Sequence, residues 1–323
     1  MRIRAVLCTL LLSLAQVAFA APPKGVKLEQ NIPYVSNGDP AEVLDLYVPE
    51  KPADKALPLV VWIHGGGWHG GSKSGCYAAY LSSDGYVVAS VEYRFSNKAL
   101  FPAQIQDCQA AIRWLRANSK TYNIDPDHIG AAGDSAGGHL VALLETSGGK
   151  NAFPPIGPNA DQSDRLQAVC DFYGPTDFNT VMAQAAADPN VKSVIKFNTP
   201  DDPYSDLIGV KLGEDPAKGE AVSPVHYVSG DNPPILIMHG TKDALVPFAQ
   251  SEEFVAALQK AGVDVTLQKF PGAGHGGPMF QLPVVKKLIK TFFDKNLKGM
   301  NVKVETLPDE ALTPRIPATA PAK

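Results

Sequence analysis

Short, unbroken apolar runs alternate along this chain with longer stretches in which apolar positions recur every three or four residues. Residues 59–63, 86–91, 129–132, 166–173, 235–238 and 265–270 belong to the first kind. Several are rich in Val and Ile, as expected of strands buried on both faces. Residues 102–118 belong to the second: Ile105, Cys108, Ala111, Ile112 and Leu115 share one helical face, with Pro102 at its start. Residues 248–260 and 282–293 show the same period, with Pro247 and Pro283 as first-turn residues. Residues 31–36 and 42–48 alternate apolar and polar positions across Asn37-Gly38-Asp39-Pro40, which predicts an antiparallel hairpin. Strands alternating with helices imply an α/β domain, a mostly parallel sheet with helices on both faces.

Three regions break this rhythm. Residues 21–30 read as an unstructured leader. Residues 148–164 are rich in Gly, Pro and Asn, and 177–232 form a long mixed insertion holding one helix, 181–187. Loops of this length in a compact domain usually serve function, so 177–232 is expected to form a small cap over the catalytic edge. From residue 301 the chain becomes rich in Pro and Ala, and 301–323 is expected to be a disordered tail. The main domain is therefore placed at 21–300. No internal repeat is visible.

The first twenty residues have their own logic. A basic start with Arg2 and Arg4, an apolar run from Ala5 to Leu14, and the ending Ala18-Phe19-Ala20 describe a secretory signal peptide cleaved after Ala20. The run is too short for a membrane anchor, and Cys8 lies inside it rather than at its end, which argues against a lipoprotein. The chain has 29 Lys and Arg against 33 Asp and Glu. Without Arg2 and Arg4 the excess of acid grows by two, which disfavours a nucleic acid or acidic membrane as partner. Cys76, Cys108 and Cys170 remain after cleavage, an odd number without C-x-x-C spacing. Neither a metal site nor a disulfide scaffold is indicated, and one disulfide with a free thiol stays open in an oxidising compartment.

The candidate chemistry centres on Gly133-Asp134-Ser135-Ala136-Gly137, between the apolar run 129–132 and an amphipathic run. This is the G-x-S-x-G pattern of a strand-turn-helix elbow, which raises the Ser135 hydroxyl above a sheet edge. The turn also puts the Ala136 N–H at a helix N-terminus, where an oxyanion is favoured. In that elbow fold the base and acid follow the serine in the order serine, acid, histidine. Of the seven histidines, His64, His69 and His128 precede Ser135 and His139 lies on the helix just after it. His226 and His239 precede the best acid, Asp243, which follows the strand 235–238. His275 remains, in a glycine-rich loop after the strand ending at Phe270. Asp134 points away from the base on this reading and is assigned a structural or orienting role. His64-Gly65-Gly66-Gly67-Trp68, directly after the strand 59–63, lets the backbone turn N–H groups inward. Gly66, Gly67 and Ala136 are the expected oxyanion donors. Trp68 is a candidate wall of the substrate pocket or a core residue. Lys73 and Arg94 are candidates to orient the oxyanion loop or plain structural charges, Asp177 a helix cap, and His139 a packed helix residue.

Those motifs, with Gly71-Ser72-Lys73, Tyr93-Arg94, Phe101-Pro102-Ala103 and Tyr173-Gly174-Pro175-Thr176-Asp177, resemble the hormone-sensitive-lipase-like esterases of the α/β-hydrolase fold. They are most similar to its secreted bacterial acetylxylan and feruloyl esterases. The resemblance runs from about residue 43 to 293 and implies Ser135 as nucleophile, His275 as base and Asp243 as acid. It further implies ester hydrolysis through an acyl-enzyme, on acetyl or feruloyl esters of plant polysaccharide. The substrate partner would be a small-molecule or oligosaccharide ester, with no cofactor and no metal; nucleic acid and membrane are not expected partners. Rival readings are a general carboxylesterase, an arylformamidase-like amidase, a secreted peptidase, and a non-catalytic binding module on the same fold.

Overall fold

The computed structural model describes residues 21–36, 38–51, 53–191 and 195–312. The expected signal peptide, 1–20, and the end of the expected tail, 313–323, lie outside the described residues. Eight strands form one sheet: β1 (Val26–Pro33), β2 (Val43–Pro49), β3 (Leu57–Ile63), β4 (Val87–Val91), β5 (Ile124–Asp134), β6 (Ala168–Phe172), β7 (Ile235–Gly240) and β8 (Val265–Phe270). Their order across the sheet is β1-β2-β4-β3-β5-β6-β7-β8. β1 and β2 run antiparallel to their neighbours, and the other pairings are parallel. Among the described residues seven α-helices accompany the sheet: α1 (Ala103–Ala117), α2 (Ala136–Ser147), α3 (Val181–Ala187), α4 (Pro203–Ile208), α5 (Pro216–Val222), α6 (Phe248–Ala261) and α7 (Pro283–Leu297).

The continuous apolar runs are explained by what each face touches. Leu59, Val61 and Ile63 of β3 join α1, α2 and α6 in one core, through Ile112, Leu140 and Phe254 among others. Val60 and Trp62, pointing the other way, join α7 through Leu288, Phe292 and Phe293. Both sides of the central strands are therefore dry, as the mostly parallel α/β reading requires. The crossover from β3 to β4 carries no α-helix. A 3₁₀ run, Tyr77–Asp84, takes its place and ends at Gly85 in the left-handed region.

The hairpin begins earlier than its alternation predicts. β1 starts at Val26, inside the stretch expected to be an unstructured leader, and pairs Val26 with Pro49 and Pro33 with Val43. A register shift between Glu29 and Ile32, with Asn31 at φ 57°, interrupts the period-two pattern and hides the strand from a periodicity reading. The tail also differs from expectation over its first part. Val304 and Leu307 pack against the α7 face, Leu312 is buried, and the Leu307 N–H donates to Gln268 Oε1. A few apolar residues spaced among Pro and Asp are enough to dock this segment, although its composition resembles a linker. The insertion 177–232 holds α3, α4 and α5 and the 3₁₀ turn Pro224–Tyr227, more structure than the single helix expected. Among the described residues, no helix is long and apolar enough to cross a membrane.

Register decides where a site can form. Ile63 pairs with Gly133, Asp134 with Phe172, and Gly240 with Phe270, so the C-terminal ends of β3, β5, β6, β7 and β8 lie along one edge. The loops after those strands therefore converge there. The elbow over this edge has no spare volume: a Cβ on Gly137 would sit 2.1 Å from the Ile63 carbonyl oxygen, and one on Gly133 would sit 2.5 Å from that of Gly137. Gly137→Ala is therefore expected to destabilise the fold by about 3 kcal/mol or more, read by urea unfolding. Gly75→Ala, where nothing lies within 4 Å, serves as a control expected to stay within about 0.5 kcal/mol of the parent.

Candidate active site

Three non-glycine residues on the converging edge hold left-handed backbone conformations: Trp68 at φ 59°, Ser135 at φ 54° and Tyr173 at φ 46°. Each follows the end of a strand, β3, β5 and β6 in turn. Strain of this kind persists only where its surroundings enforce it. At Ser135 the enforcement is visible: its N–H donates to the Phe172 carbonyl at 2.8 Å, and its own carbonyl accepts the His139 N–H at 2.9 Å as α2 begins.

The turn delivers the Ser135 hydroxyl to His275, whose Nε2 lies 2.8 Å from Ser135 Oγ. His275 Nδ1 lies 2.7 Å from Asp243 Oδ2. A carboxylate oxygen only accepts, so Nδ1 carries the proton and Nε2 is left to accept the Ser135 O–H. Asp243 Oδ1 accepts the N–H groups of Leu245 and Val246 at 2.8 and 2.9 Å. Burial alone would raise the Asp243 pKa, but hydrogen bonds from His239 and His275 outweigh it and hold the carboxyl well below its usual range. The acid therefore keeps its charge against His275 across the neutral range. Tyr173 packs on His275 with ring centroids 4.6 Å apart.

The glycine-rich loop after β3 is braced at several points. Asp134 Oδ1 accepts the Gly65 N–H at 3.0 Å, so the residue before the nucleophile ties the loop to the elbow, in the orienting role expected of it. Its pKa is raised, chiefly by burial. His64 lies against Tyr93, its Nε2 is 2.7 Å from Glu92 Oε1, and Tyr93 donates its hydroxyl to the His64 carbonyl. Lys73 supports the same corner: its N–H donates to Glu92 and its ammonium to Asp45. Arg94 does not reach the loop; its guanidinium and N–H engage Asp107 instead. The Gly66 carbonyl turns back to accept His69 and Gly70 N–H groups. Gly66 at φ 116° and Gly67 at φ 60° make that turn possible. Among the described residues, no protein acceptor engages the N–H groups of Gly66, Gly67 or Ala136.

Trp68 and His139 form one joint. Trp68 is buried and its Nε1–H, a donor only, points at His139 Nδ1 at 3.1 Å, so His139 carries its proton on Nε2 and donates to the Val222 carbonyl at 2.7 Å. The loop after β3, helix α2 and the insertion are thus fastened through one imidazole. Asp177 is not the cap of α3, whose N-cap position is Thr180; its Oδ1 instead accepts the Asn179 N–H in the turn before the helix. A cavity of about 150 Å³ opens at Ser135 and His275, bounded by Gly67, Trp68 and Ala136 and roofed by Ile195, Pro203 and Tyr204 of the insertion. Leu245, 40% exposed, stands at its edge. Larger hollows of about 700 and 370 Å³ lie away from the serine.

Sequence reasoning did not find the roof residues or the contact of His239 with Asp243. The insertion carries no periodic signal that singles out Pro203 or Tyr204, whereas His239 was within reach, four residues before the acid. Cys76, Cys108 and Cys170 are all unpaired with one another. Among the described residues, no group of three or more His, Cys, Asp and Glu is gathered for a metal ion.

A family model described as BD-FAE matches residues 44–258. The chain is 31% identical to Esterase LipQ of Mycobacterium tuberculosis over 250 residues, 76% of this chain and 56% of that protein. It spans about half the length of the curated relatives it matches. A truncated form of a carbohydrate esterase from gut microbiota superposes with a TM-score of 0.77 at 31% identity, over 86% of this chain and 100% of that one. An acetyl ester-xyloside bifunctional hydrolase from Caldicellulosiruptor lactoaceticus superposes at 0.64 and 27% identity, over 84% and 94%.

The joint at His139 makes a pH prediction. Complete burial pushes its pKa down to about 4, whereas an unfolded histidine titrates near 6.5. The folded value is depressed, so the unfolded chain binds the proton first. The contribution is intact above about pH 6.5 and is lost as pH falls towards 4. Relative to His139→Gln, the parent should lose roughly 3 kcal/mol of unfolding free energy between pH 7 and 4, measured as paired urea titrations.

Proposed function

The chain belongs to the BD-FAE family of α/β-hydrolases, and on that premise we propose that it is a secreted serine carboxylesterase acting through an acyl-enzyme. The observation that carries the reading is the continuous relay from the Ser135 hydroxyl through His275 to an ionised Asp243, at 2.8 and 2.7 Å. Neutral His275 takes the Ser135 proton at Nε2 as Oγ attacks the ester carbonyl. Asp243 holds the tautomer and stabilises the imidazolium without itself taking the proton. Gly66, Gly67 and Ala136 N–H groups receive the oxyanion, each such donor being worth about 3–4 kcal/mol in the transition state. The intermediate collapses, His275 returns the proton to the leaving alcohol, and water repeats the sequence to release the acid and restore Ser135.

The cavity narrows the acyl group. Its volume of about 150 Å³ is half or less of the ~300–1,000 Å³ that encloses a drug-sized ligand, and its lining is mostly apolar. A space of this size favours a short acyl group such as acetyl over a feruloyl group. The alcohol is left to extend into solvent past Leu245, which suits a bulky sugar. The names of the gut carbohydrate esterase and of the xyloside hydrolase support an acetylated plant polysaccharide as substrate. Export rests on the signal-peptide pattern of residues 1–20.

Acetylated and feruloylated xylo-oligosaccharides test the reading in one experiment. The mature protein should release acetate in large excess over ferulate, at a rate that rises as His275 loses its proton. Ser135→Ala should lower the rate by roughly 10³-fold or more. Ferulate as the main product would overturn the acyl assignment, and an active Ser135→Ala would remove the mechanism.

A further inference from the structure

Asp243 is approached by two histidines. His275 reaches Oδ2 from the solvent side, while His239, with no exposed surface, lies beneath it with Nε2 3.2 Å from the same oxygen. His239 Nε2 is also 3.2 Å from the Val246 carbonyl, and its Nδ1 is 2.7 Å from Ser251 Oγ on α6. Both groups facing Nε2 are acceptors only, so Nε2 must carry a proton. A neutral ring with that proton on Nδ1 would set a lone pair against a carboxylate and a carbonyl. Ser251 can give its hydroxyl proton to Nδ1, which matches this tautomer.

We infer that His239 is a positioning residue for the triad: its Nε2–H, hydrogen-bonded to the Val246 carbonyl, also lies 3.2 Å from Asp243 Oδ2 and so tunes both the direction and the strength of the bond that this oxygen offers to His275. The inference rests on the esterase reading for its kinetic consequence but not for its structural one. The positive end of the His239 N–H dipole, close to the oxygen that bonds His275, offsets part of its negative charge. Removing His239 leaves the whole charge to His275, which stabilises the imidazolium and raises the pH at which His275 loses its proton. It also removes one of the contacts that stop the carboxylate from rotating, although the Leu245 and Val246 N–H groups still hold Oδ1.

The other groups facing this pair are few. Asp134, from the elbow, lies near enough to His275 to interact with its charge. Tyr173 packs against both imidazoles, and Tyr204 borders the cavity. Burial holds both phenols well above their usual range, so they stay neutral while the histidines titrate. Phe248 closes the remaining side of His239.

Three substitutions separate positioning from simple packing. His239→Phe keeps a ring but removes the donor. His239→Asn keeps a polar group near Ser251 but does not reach Asp243. His239→Gln places an amide N–H where Nε2 stood. Two readouts are taken: the NMR titration of His275, and the pH profile of kcat/KM on an aryl acetate. Phe and Asn should shift both the His275 titration and the acid limb upward by about half a pH unit or more, and lower kcat on the order of tenfold. Gln should titrate with the parent. If Phe does not fold, Asn carries the comparison. An unshifted His275 titration in Phe or Asn, or an equal shift in all three variants, would overturn the inference. The NMR arm decides this even if the parent hydrolyses no ester, and that last result would count against the esterase reading alone.

Discussion

The site depends on a clearance that leaves no room for a side chain. Where α2 leaves β5, its second residue crosses the end of β3 so closely that a Cβ on Gly137 would overlap the Ile63 carbonyl oxygen. That crossing sets Ser135 directly beside the loop that begins at His64. The Gly65 N–H to Asp134 hydrogen bond then fixes the loop relative to the serine. Ser135 and the Gly66-Gly67 loop are thus parts of one backbone joint between neighbouring strands, held before any substrate arrives. Such preorganisation lets N–H dipoles stabilise developing charge without reorganising at the moment of reaction.

Around this joint the buried polar groups form a supporting layer with assignable protons. Trp68 dictates the tautomer of His139, and the acceptors around His239 put its proton on Nε2. Asp243 dictates that of His275. In each case a group that can only donate or only accept settles what its neighbour must be. His139 also connects the loop after β3 to the insertion through Val222, so the roof over the serine and the oxyanion loop share a fastening. Displacement of the insertion would therefore disturb Trp68, which borders the cavity.

Much of this could be read in the sequence because the chemistry is tied to strand ends. The apolar runs placed β3, β5, β7 and β8, and the turn residues after them placed Ser135, Asp243, His275 and the Gly66-Gly67 loop, which the structure brings to one edge. What escaped were features without periodicity. β1 was hidden by its register shift at Asn31, and the docking of 301–312 by a linker-like composition. The roof residues Ile195, Pro203 and Tyr204 lie in an irregular insertion whose course is set by tertiary packing, with Tyr204 wedged among Trp68, Phe178 and Phe197. His239 is invisible to this reasoning, because order along the chain picks the base but says nothing of what stands behind the acid.

The proposed chemistry stands or falls on Ser135 Oγ as the atom that takes the acyl group. The most direct measurement is intact-mass and peptide analysis of the protein after acid quench of its reaction with an activated acetyl ester. The expected result is one acetyl group, carried on the peptide containing Ser135 and discharged when the reaction is left to run before quenching. Turnover with no acetyl on that peptide, or a stable acetyl on another residue, would contradict it.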